Sequence, residues 1–263
     1  MKRIMAFCLI GLLSACVSTN QNNAKVTPVN RKNTFQGDIY PIDNPIQIKI
    51  APAQIKAQMQ LVFGDQFPVT IHLKVSDFDR QLRWLVEYRS EDTPDTVIRG
   101  SVITDERGKP TKVENHFSIE GEEKDGFEEF GNFLFHISFN LFLPQFSSDP
   151  VKGGDVIYVF PDLRDYFRVF GDKDLKIEIM SSIVHAVLKG WAYEQGKKVL
   201  VADIRGQSIW KEIGKSPLEM EFIVNGYSLI DYETGQIVKV GLRYAPQQWK
   251  SDYFEVRYSA EIE

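Results

Sequence analysis

The side chains best suited to chemistry are thinly spread through this sequence of 263 residues. Its four histidines, His72, His116, His136 and His185, stand far apart, and none is at helical ligand spacing from another. Each reads more naturally as a strand or packing residue than as a metal ligand. His136, set among phenylalanines, is the least ordinary. Asp77 and Asp79 flank Phe78, and Asp172 and Asp174 flank Lys173. Calcium takes about six to eight oxygens, and neither fragment continues as a ligand loop. The acidic run at 120–129 has charge without ligand spacing. There is no Gly-x-Ser-x-Gly elbow, no phosphate-cradling glycine loop and no His-Glu-x-x-His pair. The reading is therefore non-enzymatic: no catalytic residue, no metal and no cofactor.

Two cysteines remain, Cys8 and Cys16. Lys2 and Arg3 form a basic head, residues 4–13 an apolar run, and Leu13-Ser14-Ala15-Cys16 leads through small residues into a cysteine. That layout is a secretory signal with a cleavage site. Its apolar run is about half of the roughly 20 residues a spanning helix needs. The tetrapeptide resembles the lipobox of bacterial lipoprotein precursors in position, flanks and cysteine. The resemblance implies that residues 1–15 are removed. It implies further that Cys16 becomes the N-terminus, carrying a diacylglyceryl group and often a further acyl chain such as palmitate. Each buried CH₂ contributes about 0.8 kcal/mol, so one chain binds marginally and several anchor stably. In Gram-negative members an aspartate after the cysteine tends to retain the protein at the inner membrane. Val17 stands here, which implies the periplasmic side of the outer membrane. With Cys8 removed and Cys16 acylated, the mature domain has no disulfide, thiol nucleophile or cysteine metal site.

A formal net charge of −5, with 43% hydrophobic and 25% charged residues, is ordinary for a globular protein. It leaves no electrostatic footprint for nucleic acid. Residues 17–33 are rich in Asn, Thr, Ser and Lys and too polar to bury a core; with Cys16 they read as a lipidated flexible tether, 16–33. The rest suits one large β domain or two small ones, divided as a β-rich half at 34–150 and an antiparallel β half at 151–263.

Alternation of apolar and polar residues predicts strands at 46–50, 69–75, 82–88, 97–104 and 111–119. Further strands are expected at 155–160, 176–180 running on through 183–193, 198–210, 218–231, 236–244 and 254–258. Turns are expected at 105–110, 194–197 and 232–235, where Asp and Gly cluster. Pro52 opens a helical pattern with Ile55, Met59 and Val62 or Phe63. Residues 130–146 fit both periods. Phe133, Phe135, Ile137, Phe139, Leu141 and Leu143 alternate, while Asn132, His136 and Asn140 make a stripe at helical spacing. An acidic start, Pro144 and the length select a helix. The fold class is mainly β (β-rich α+β): antiparallel curved sheets with one or two short helices.

Two fragments recur. Gly37-Asp38-Ile39-Tyr40 matches Gly154-Asp155-Val156-Ile157-Tyr158. The stretch 100–108 matches 226–235. Together they suggest two similar repeats, packed face to face or continued into one curved sheet. The layout loosely resembles lipoprotein-carrier-like periplasmic folds, which wrap a curved sheet around an apolar cavity. Phe130, Phe133, Phe135, Phe139, Phe142 and Phe146 exceed what one face buries. They form a core between sheets or line an apolar pocket, and Phe130, Phe133, Phe135, Phe139 and Phe142 are the candidate ligand-binding residues. The expected function is a membrane-anchored periplasmic lipoprotein with a non-catalytic binding role, for a lipid or other apolar ligand. The alternative is an envelope scaffold that recruits a protein partner.

Overall fold

The computed structural model describes residues 34–63, 65–90, 97–114, 119–120, 145–159, 177–212, 219–246 and 254–262. Among the described residues the chain is mainly β, with no helix. The first meander consists of β1 (Ala53–Phe63), β2 (Asp65–Phe78), β3 (Gln81–Ser90), β4 (Val97–Thr104), β5 (Pro110–Glu114) and β6 (Ile119–Glu120). The second consists of β7 (Val156–Val159), β8 (Ile177–Glu194), β9 (Lys197–Glu212), β10 (Glu219–Asp231), β11 (Ile237–Pro246) and β12 (Phe254–Ile262). All belong to one antiparallel sheet in the order β5-β4-β3-β2-β1-β12-β11-β10-β9-β8-β7, with β6 paired to β4. The two halves of the chain therefore join through β1 and β12, from Ile55↔Ile262 to Val62↔Glu255.

Alternation explains the inner face. Ile55, Ala57 and Met59 are buried while Gln54, Lys56 and Gln58 are exposed. Ile71, Leu73 and Val75 do the same on β2, and Leu82, Trp84 and Val86 on β3. These converge with Val184, Ala186 and Leu188 of β8 and Leu200, Ala202 and Ile204 of β9 on one core, so the sheet curls around its own apolar face. Each fully buried aliphatic or aromatic side chain contributes about 1.5–3 kcal/mol.

The segment expected as a helix from Pro52 is the strand β1. Ile55 and Met59 are four apart, a spacing that suits both periods. Ala57 between them decides the matter, because it too is buried. The long run at 130–146 lies outside the described residues except at its end, where Phe146 bridges Tyr158. The expected strand at 46–50 buries Ile48 and Ile50, but among the described residues it joins no ladder and makes a single bridge, Ile46 to Val151.

That segment belongs to a strap, residues 34–51, laid across one end of the sheet. Ile46 and Val151 exchange both backbone hydrogen bonds at 2.8 Å. The Ile50 amide donates to the Glu106 carbonyl at 2.7 Å and the Ala51 amide to the Thr234 carbonyl at 2.8 Å. Gln236 Nε2 donates to the Ala51 carbonyl at 2.9 Å. The β4–β5 and β10–β11 turns thus grip the strap from two sides. Gly235 (φ +64°) is needed there twice over: its backbone is left-handed, and a Cβ would overlap the Lys49 carbonyl oxygen. At the same end the Phe146 amide donates to Arg107 and the Ser147 amide to Ile157, both at 2.9 Å, linking the two outer edges of the sheet.

Two hairpins turn at this end with both central residues at positive φ. Asp79 and Arg80 (45°, 62°) join β2 to β3, and Gln195 and Gly196 (50°, 80°) join β8 to β9. Such two-residue turns match the right-handed twist of the strands they connect.

Candidate functional site

Among the described residues the inner face is lined by buried side chains. Met59, Tyr258, Val240, Ser228, Ala202 and Leu188 stand in register across β1, β12, β11, β10, β9 and β8, and all are buried. Polar groups here serve the fold. Trp84 Nε1 donates to Thr104 Oγ1 at 2.9 Å, and Thr104 donates onward to the Asp105 carbonyl at 2.9 Å. Burial pushes the Tyr158 phenol well above the usual tyrosine range, and the nearby Ser228 side chain offsets part of that rise. Burial also raises Tyr258 strongly, and brings Tyr244 up to about 12. None of these phenols ionises near neutrality, so none is a base poised for catalysis.

The outer face carries charge in ordered rows. Glu261, Lys56, His72 and Glu87 are successive cross-strand partners on β12, β1, β2 and β3. The next outward row holds Gln54, Lys74 and Leu85. Between the rows lies a shallow furrow of about 350 Å³, which Ile55, Leu73, Val86 and Gly100 also line. Those four are themselves one cross-strand row, with its apolar side chains turned inward. Glu261 and Lys56 lie directly across strands and attract, which supports the sheet, and the two rows together present Lys56, Lys74 and an exposed imidazole to solvent.

A second cleft, about 490 Å³, opens at the strapped end and is lined by Gln47, Lys49, Arg80, Asp105, Glu106, Arg107 and Ser148. Two ion pairs lie within it. Lys49 Nζ is 2.9 Å from Glu106, and the Arg107 guanidinium 3.1 Å from Asp105. Asp105 also accepts the Arg107 and Lys109 amides at 2.9 Å each. Asp231 plays the same part in the other turn, accepting the Thr234 amide and hydroxyl at 2.8 Å. Both aspartates hold turns, as their sequence setting suggested.

Of the residues singled out from sequence, His72 stands in the outer furrow, and His185 lies half-buried on β8. Cys16 and the signal and tether segments lie outside the described residues, as do His116, His136, Asp172 and Asp174. So do Phe130, Phe133, Phe135, Phe139 and Phe142. Among the described residues no three of His, Cys, Asp and Glu converge as metal ligands. The furrow was not foreseen. The alternation of β1, β2 and β3 gave its outward residues, but only the pairing register aligns Lys56 with His72 and Glu87. The recurring Gly-Asp fragments are not placed alike. Tyr40 and Val156 both pair with β8, at Trp191 and Val187, so the two fragments follow one another along a single edge.

No known protein family matches this chain, and no curated protein matches it either.

Proposed function

We propose that this chain is a lipid-anchored protein of the bacterial envelope with a non-catalytic binding role, and that its folded part engages a protein partner through the outer face of the sheet. The observation that supports this is the contrast between the two faces: the row from Met59 to Leu188 is buried, whereas the furrow beside Lys56, His72 and Lys74 is open to solvent. Acylation of Cys16 supplies the anchor, and residues 17–33 set the domain's reach from the membrane. A second reading, carriage of a lipid or other apolar ligand on the concave face, is favoured by the small residues of β8–β10. Ala186, Ala202 and Ser208 keep the side chains of that wall short, while Gly206 and Gly226 let the backbone of the neighbouring strand approach closely.

The test uses the full lipidated chain, extracted from membranes in mild detergent. Its mass is measured native, then denatured after organic extraction. A lipid-sized mass lost on extraction, beyond the modification on Cys16, selects the concave-face reading. A clean mass, together with an envelope protein that cross-links to the wild type but not to Lys56→Glu/Lys74→Glu, selects the outer-face reading. A clean mass with no cross-link sensitive to those charges sinks both.

A further inference from the structure

We infer that the aromatic rim of the strapped end is a membrane-contacting surface, seated in the headgroup region of the bilayer from which the chain hangs; this rests on the lipid-anchored reading above. The rim is built from four rings and a lysine. Tyr40 stacks on Trp191 with centroids 4.6 Å apart and planes at 25°. Tyr193 meets Trp191 edge-on at 5.4 Å. Lys198 Nζ lies over the Trp191 ring at 4.6 Å and the Tyr232 ring at 3.7 Å. The register makes this one patch. Tyr193 pairs with Lys198 across β8 and β9, Tyr40 bridges Trp191, and the Tyr232 amide donates to the Lys198 carbonyl at 3.1 Å. Yet the patch is open to solvent: Tyr193 is 60% exposed, Tyr40 43%, Ile39 40% and Tyr232 38%.

Clustered exposed rings mark an interaction surface where scattered ones would not. Tyr and Trp carry an apolar body with a polar tip, and lysine an apolar stem with a charged head; both suit a boundary that is oily on one side and wet on the other. The chain itself identifies the occupant. Ile39 and Tyr40 belong to the strap, a few residues past the tether that leads from Cys16. The 17 residues at 17–33 span only about 20–25 Å as a flexible coil. The bilayer is thus the one surface held beside this rim permanently, at high effective concentration. Charge contributes little to the contact, because Asp38 and Glu233 adjoin the patch beside Lys197 and Lys198, and Glu194 is paired with Lys239 at 2.7 Å. Seating by ring partition predicts weak dependence on salt and on anionic lipid.

The lipidated full chain is reconstituted into phosphatidylethanolamine–phosphatidylglycerol vesicles with acyl chains brominated near the headgroup. Tryptophan emission is compared between the wild type and Trp191→Phe, and the difference isolates Trp191. The expected result is quenching of that component by the brominated lipid, unchanged at high salt, and lost in Tyr40→Ser/Tyr193→Ser. Intact mass of the same samples reports acylation of Cys16. Unquenched Trp191 in acylated protein overturns the inference while leaving the anchor intact. An unmodified Cys16 overturns the anchor, and the rim inference with it. Emission indifferent to lipid but shifted by soluble glycan strands makes the rim a carbohydrate platform and equally overturns the inference.

Discussion

Trp84 and Thr104 show how closely the core depends on single polar contacts. The indole is 1% exposed and its N–H reaches only as far as the Thr104 hydroxyl, which is itself fully buried. Thr104→Val keeps shape and volume but strands the donor, which costs about 1–3 kcal/mol. Chemical denaturation should show that loss, and Trp84→Phe should cost less when added to Thr104→Val than when made alone; equal, additive losses would mean that the hydrogen bond is not what couples them. The buried tyrosines make a second residue-level expectation. Tyr244 has a folded value near 12 against an ordinary 10, and Tyr158 and Tyr258 are raised as well. A raised folded value means that the unfolded chain releases its proton first. The stabilising contribution is therefore complete below pH 10 and is lost as pH climbs toward 12 and beyond, at up to about 1.4 kcal/mol per unit for each tyrosine. Alkaline titration should show tyrosinate absorbance from these three only as the fold melts. A smooth rise at pH 10 with the fold intact would contradict their burial.

The strap is where an element depends on its neighbours rather than on its own pattern. Gly235→Val puts a β-branched side chain at φ +64° and into the Lys49 carbonyl. Strain of this kind costs about 1–3 kcal/mol. Hydrogen exchange should quicken at the Ile50 and Ala51 amides, whose acceptors are Glu106 and Thr234, and leave Ala202 in the middle of β9 protected. Uniform quickening would show that the strap unfolds only with the whole sheet. The strands themselves were legible. The runs at 69–75, 82–88, 97–104 and 198–210 lie within β2, β3, β4 and β9, because one-sided burial imposes a period of two. The turns at 105–110 and 232–235 were legible for the same local reason, their Asp and Gly chemistry. The helix expected from Pro52 failed where a spacing of four residues served both periods. The strap was mistaken for a strand because Ile46, Ile48 and Ile50 alternate just as strand residues do, although their partners are turns and a bridge rather than a ladder.

Nothing local in the sequence announces that residue 55 pairs with residue 262, yet that contact makes the molecule one body. Each meander reads in the same direction along the sheet, β5 to β1 and then β11 to β7, with β12 between them. The matching stretches 100–108 and 226–235 close the β4–β5 and β10–β11 hairpins, which hold corresponding places in the two meanders. The candidate sites were hidden for the same reason. Lys56, His72 and Glu87 meet only through register, and Tyr40, Trp191 and Tyr232 only because the strap and a turn reach the end of β8. Pairings this distant close late and carry a large loop entropy, so β12 is the element on which cooperative folding turns. Deleting residues 254–263 removes both ladders of β12 and leaves the edges of β1 and β11 unpaired, open to pairing with other copies. It also removes Tyr258 from the buried cross-strand row. Urea unfolding of the full chain should be a single transition. The shortened chain should unfold at lower urea in two separable steps, or aggregate on refolding. A shortened chain that kept one transition at the original midpoint would show that the strap and the Ile46–Val151 bridge, not β12, unite the halves.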